Sequence, residues 1–203
     1  MKNILCFGDS NTWGGCDEGD RLVRFEERWT KLLKKKLGDE FNVYEEGLNG
    51  RTLDSCKPEK PWIAGCSNLY LSLETHFPLD LVIVMLGTND LFTYFSNSVK
   101  QVGQKLEKLI KIIQTYKFDI SCCPQILIIT PPKLNAVQAR RFFEVDDSSQ
   151  VKSIALEKEY ETIAKKNKCL YISALDLPVG SDGLHLMLES HKILADRIYS
   201  ILQ

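Results

Sequence analysis

The stretch LVIVML, residues 81–86, constrains the fold more than any other. It carries no charge, is rich in Val and Ile, and stops at Gly87 before Thr88, Asn89 and Asp90. A short run with no polar face reads as a strand covered on both sides, the kind from which parallel sheets packed between helices are built. Comparable runs occupy Asn3–Phe7, Phe41–Glu45, Gln125–Thr130 and Cys169–Ile172. Helical periods lie between them. Glu27–Leu37 ends at Gly38, and a weaker helical segment surrounds Leu69–Leu73. Val99, Val102, Leu106, Leu109, Ile110 and Ile113 share one helical face, and Asp147–Lys166 and Leu186–Leu202 are also amphipathic. The alternation predicts an α/β fold with a five-stranded parallel sheet, right-handed crossovers and helices on both faces.

At 203 residues, with no internal repeat or linker, the chain is expected to form a single domain, 1–203. Its 26 basic and 27 acidic residues leave a net charge of −1, so neither nucleic acid nor an anionic membrane is expected as a partner. No stretch approaches the ~20 apolar residues of a membrane span. Ile4–Phe7 is too short for a signal-peptide core, and a cytoplasmic location is expected. Seven cysteines without a CxxC pair predict reduced thiols rather than a disulfide framework or a zinc site. The adjacent Cys122 and Cys123 read as apolar filling. Neither a metal nor a cofactor is expected.

In such sheets chemistry gathers beyond the carboxyl ends of the strands. Polar clusters follow every strand-like run: GDSN, EGLNGRT, GTND, TPP and SDGLH. Ser10 in the first needs a base before its hydroxyl can act as a nucleophile, and the chain has three histidines. His76 lies at the amino end of a strand and reads as structural; His191 reads as a solvated residue of the last helix. His185 lies on the right rim, three residues after Asp182. In a tight turn that acid can hold the Nδ1–H and leave Nε2 free to take the proton of Ser10. The competing reading makes Asp182 a helix cap and His185 merely exposed. Acyl transfer also needs donors for the developing oxyanion, each worth roughly 2.7–4 kcal/mol. The candidates are the N–H of Ser10, the N–H of Gly47 and the side-chain amide of Asn89. A turn glycine and an Asx turn are the plain alternatives for the last two.

FGDSNTWG, EEGLNGRT, VIVMLGTND and DGLH resemble, in order, the four blocks of the SGNH hydrolases, also called the GDSL esterase/lipase family. Trp13, EEGLNGRT and PLDLVIVMLGTND look most like its bacterial arylesterase and acyltransferase branch. The resemblance implies a flavodoxin-like three-layer α/β/α fold, with Ser10 as nucleophile, His185 as base and Asp182 as its orienting acid. It assigns the oxyanion hole to Ser10, Gly47 and Asn89. The implied reaction is hydrolysis of small or medium carboxylic esters through an acyl-enzyme, with acyl transfer as a variant. Asn11 departs from the motif, which has leucine there. The branch tends to oligomerise, which leaves a homo-oligomer open.

Asp9 is expected to bond the surrounding loop backbone, and Arg51 to pair with an acid such as Asp90. Trp13, Asn49 and Phe142 are candidate substrate contacts. Asp54–Gly65 and Pro131–Asp147 read as loops that shape the entrance, and the Phe142–Phe143 pair could line an apolar pocket or an oligomer contact. A carbohydrate deacetylase or thioesterase with the same triad stays open. A non-catalytic phosphate-binding domain is a further alternative, but the chain lacks both glycine-rich phosphate patterns.

Overall fold

A computed structural model describes residues 1–18, 21–116 and 123–203, apart from the side chains of 16–18 and 21–23. Cys122 therefore lies outside the described residues. In chain order the elements are β1 (Lys2–Gly8), α1 (Ser10–Trp13), β2 (Gly15–Glu18), β3 (Arg21–Arg24), α2 (Trp29–Leu37) and β4 (Phe41–Gly47). They continue with α3 (Gly65–His76), β5 (Leu81–Met85), α4 (Val99–Thr115), β6 (Gln125–Thr130) and α5 (Ala136–Ala139). The last are α6 (Asp147–Lys166), β7 (Leu170–Ser173) and α7 (Leu188–Leu202).

Five strands form one parallel sheet in the order β4-β1-β5-β6-β7. This is the flavodoxin-like order, and its switch point lies between β1 and β5. Alternate residues of the strands enter two separate cores. Leu5, Phe7, Val82, Val84, Ile126 and Ile128 face α3, α4 and α6; Ile4, Cys6, Ile83, Met85, Leu127 and Ile129 face α2 and α7. That is why the central runs lack polar alternation: both faces of β1, β5 and β6 are buried. Helix α4 starts at a capping box, where Ser98 and Gln101 satisfy each other's backbone N–H, and turns Val102, Leu106, Leu109 and Ile113 inward.

Some boundaries differ from the sequence reading. Helix α2 starts at Trp29 rather than Glu27, because Arg28 is still extended and its guanidinium pairs with Glu45. Helix α7 starts at Leu188, since Leu186 and Met187 still belong to the preceding turn. The antiparallel pair β2–β3 had no clear alternation to announce it. Short helical turns interrupt both expected loops, at Pro61–Ile63 and Ala136–Ala139. Among the described residues Cys6, Cys56, Cys66, Cys123 and Cys169 are free thiols, and no helix is long and apolar enough to cross a membrane.

Candidate active site

Strands β1, β4 and β5 end level, with Gly8 in register with both Gly47 and Met85. The chain leaves β1 through Asp9, the N-cap of the one-turn helix α1, whose carboxylate accepts the Asn11 N–H at 2.9 Å. This is the backbone role expected of Asp9. Its second oxygen lies 3.5 Å from Nδ2 of Asn89. Burial pushes the Asp9 carboxyl up to about 6 against that hydrogen bond. Ser10 opens α1 with its hydroxyl turned to the imidazole: Oγ lies 2.8 Å from Nε2 of His185.

His185 arrives from the turn between β7 and α7. Its Nδ1 bonds Asp182 Oδ2, while Asp182 Oδ1 accepts the N–H of Leu184 at 2.9 Å and of His185 at 3.0 Å. Burial opposes the Asp182 charge, but the ring and the two backbone donors outweigh it and hold the carboxyl below its usual range. A carboxylate at Nδ1 fixes that nitrogen as donor, which leaves Nε2 as acceptor toward Ser10. Ser10, Asp182 and His185 are each only 4% exposed. Asp182 thus serves the ring and the turn together, and His185 is not a free surface residue.

Asn89 follows β5 in a short helical turn, and its Nδ2 donates to Arg51 O at 3.0 Å. The next residue, Asp90, anchors that turn: it accepts Leu53 N–H at 2.7 Å and Ser55 Oγ–H at 2.9 Å. Asp90 is not the partner of Arg51. The Arg51 guanidinium instead donates to the carbonyls of Gly8 and Glu46 and lies 4.1 Å over the Phe7 ring, tying the ends of β1 and β4 together. Backbone carbonyls at the strand ends are nearer than any carboxylate, and burial lowers its pKa to about 10.

Gly47 is at the site but turned the wrong way. Leu48 N–H donates to Gly8 O at 3.1 Å, so strand alternation points the Gly47 N–H to the open edge of the sheet, away from Ser10. Glycine is needed there for another reason: a Cβ would sit 2.2 Å from the Trp13 nitrogen. Gly50 is better placed as a donor. It has φ +77° and lines, with Asn49 and Asn89, a cleft of about 350 Å³. No hydrogen bond among the described residues occupies its N–H. The Asn49-Gly50 pair, a strong left-handed turn signal, was the clue in the sequence.

The remaining walls are mostly aromatic, with Phe92, Phe142 and Phe143, and Lys57, Lys60 and Glu144 also line the cleft. The Phe143 ring stands edge-on to His185, 6.0 Å between centroids, and so joins cleft to imidazole. Of the three candidate substrate contacts, Asn49 and Phe142 line this cleft. Trp13 does not; Arg24 covers its indole at 5.3 Å. His76 is structural, bonding Glu46 at 2.8 Å and stacking on Tyr44. His191, expected to be solvated, is fully buried against Trp29 and Phe25, because the loop before α2 folds over that face of α7. The TPP cluster stays out of the site, with the Thr130 hydroxyl bonded to Tyr171.

The sequence profile of the GDSL-like lipase/acylhydrolase family matches residues 6–193. The chain belongs to that family. It is a carboxylic ester hydrolase. Among solved structures, the aryl esterase of M. smegmatis superposes with a TM-score of 0.92 at 33% identity, covering 100% of this chain and 98% of that one. Est24, a carbohydrate acetylesterase from Sinorhizobium meliloti, gives 0.92 at 32% identity, with 100% and 98% covered. A lipase/acylhydrolase from Enterococcus faecalis gives 0.73 at 21% identity, with 100% and 95% covered, a likeness of fold alone. No curated protein sequence matches the chain.

Proposed function

We propose that this GDSL-family esterase hydrolyses small carboxylic esters through an acyl-enzyme on Ser10. The carrying observation is the pair of bonds on one imidazole, Ser10 Oγ at Nε2 and the Asp182 carboxylate at Nδ1, beside the Asn89 cleft. Nε2 takes the Ser10 proton as Oγ attacks the carbonyl carbon. The tetrahedral oxyanion then meets donors from Ser10 N–H, Gly50 N–H and Asn89 Nδ2. The imidazolium returns its proton to the departing alkoxide, and the same base draws a proton from water to release the acid. The aromatic walls, with Phe142 and Asn49 at the opening, suit a compact apolar acyl or alcohol group.

Hydrolysis of p-nitrophenyl acetate and labelling by a fluorophosphonate test this reading. Both are expected to vanish in Ser10→Ala; a folded variant that keeps either overturns it. The likeness to a carbohydrate acetylesterase favours acetylated sugars as a second substrate class. Acetate release from an acetylated oligosaccharide, compared with a p-nitrophenyl ester series run with and without added alcohol, separates deacetylation, simple hydrolysis and acyl transfer.

A further inference from the structure

We infer that Asn11 is a positioning residue that clamps the base to the nucleophile; the inference rests on the reading of Ser10 and His185 as the reacting pair. Those two residues are 175 apart in the chain and belong to different elements, so something must hold their separation. Asn11 follows Ser10 on α1 and is 1% exposed. Its side chain reaches across to the histidine turn and bonds it on both sides of His185. Nδ2 donates to Leu184 O at 3.3 Å, and Oδ1 accepts Leu186 N–H at 2.8 Å.

The turn's other backbone bonds show why this contact matters. Leu184 N–H and His185 N–H are held by Asp182, His185 O accepts from Gly180 N–H at 2.8 Å, and Met187 N–H donates to Pro178 O at 3.3 Å. All of these run within the segment 178–187, and the turn's far side is tied to another loop, where Asn135 N–H donates to Gly183 O at 2.8 Å. The two groups that face the nucleophile turn, Leu184 O and Leu186 N–H, are met only by Asn11 among the described residues. A side-chain amide carries the donor and acceptor of a peptide group and can satisfy both at once. Leucine, usual at this place in the family's motif, can satisfy neither. The backbone N–H of Asn11 is itself fixed by Asp9, so the clamp runs from the end of β1 to the imidazole without a free joint.

Asn11 touches neither substrate nor reacting atoms, so its loss changes the rate more than binding. In Asn11→Leu and Asn11→Ala, kcat on p-nitrophenyl acetate is expected to fall about tenfold to a hundredfold, the scale of a roughly 1 Å misplacement. The fluorophosphonate labelling rate falls in parallel, while KM stays within about twofold. A residue that only fills space would lower the melting temperature and leave kcat intact in protein assayed well below it. A folded variant with kcat within twofold of the parent overturns the clamp. If neither variant folds, Asn11→Ser carries the same test, since a short hydroxyl can meet at most one of the two backbone groups. Ser10→Ala run alongside separates the failures. Activity retained there removes the reading of the site; an inactive Ser10→Ala beside fully active Asn11 variants removes only the clamp.

Discussion

His185 and His191 stand six positions apart, both buried, in opposite chemical settings. The first has a carboxylate on one ring nitrogen and a hydroxyl on the other. The second accepts the Trp29 N–H at Nδ1, leaves Nε2 without a partner among the described residues, and packs edge-on to Phe25. Burial holds His191 neutral, pushing its pKa down to about 4, with His185 and Arg28 adding repulsion. Burial alone therefore makes a histidine inert. Of the two, His185 alone has a carboxylate on the far side of its ring.

The largest test breaks that charge. Asp182→Asn leaves the turn a hydrogen-bonding side chain but no carboxylate at Nδ1, and kcat should fall about 10⁴-fold. His191→Asn, which keeps an acceptor for Trp29 N–H, should leave kcat within about threefold. If the two variants lose activity alike, the contrast between the histidines is wrong. A smaller effect separates the oxyanion donors from the base: Asn89→Ala should cost about 10²–10³ in kcat, with the phosphonate still reacting at Ser10. Loss of phosphonate labelling to background in that variant would place Asn89 in the nucleophile's support instead.

The smallest effect lies in stability. As pH falls from 6.5 toward 4, unfolded chains protonate a histidine at position 191 that the fold keeps neutral, so His191 lowers stability through that window. Asp9 and Asp90, both raised to about 6 by burial, act the other way. Between about pH 6 and 4 the fold holds protons that the unfolded chain releases, which adds stability on acidification. The whole-protein curve mixes these opposing slopes, but the difference between parent and His191→Asn isolates one group. Urea midpoints should favour the variant increasingly below pH 6.5, by at most about 1.4 kcal/mol per pH unit. Parallel curves would show that His191 takes up its proton in the fold.

The sequence carried the strands because burial on both faces leaves a local signature, an unbroken apolar run such as Leu81–Leu86. It carried Asp182 and His185 because their bond closes within one turn, and Ser10 because a strand end sets it beside a cap residue. Asn89 was legible for the same reason, as a polar residue just past a buried strand. What failed depended on direction or on distant neighbours. Gly47 and Gly50 are equally glycine in the sequence, and only the register of β4 on β1 shows which N–H turns away from Ser10. Arg51 pairs with carbonyls at two strand ends, which no spacing announces. His191 fits a helix surface by period until the segment before α2 covers it.

Asn11 marks the boundary. Sequence alone determined the parallel α/β architecture and singled out Ser10, Asp182 and His185, which the fold brings into one hydrogen-bonded line, because each leaves a pattern within a few residues. Tertiary structure alone decided the partner of Asn11, the direction of the Gly47 N–H and the fate of the second histidine. Each of these is a hydrogen bond, or its lack, between segments that come together only when the sheet closes.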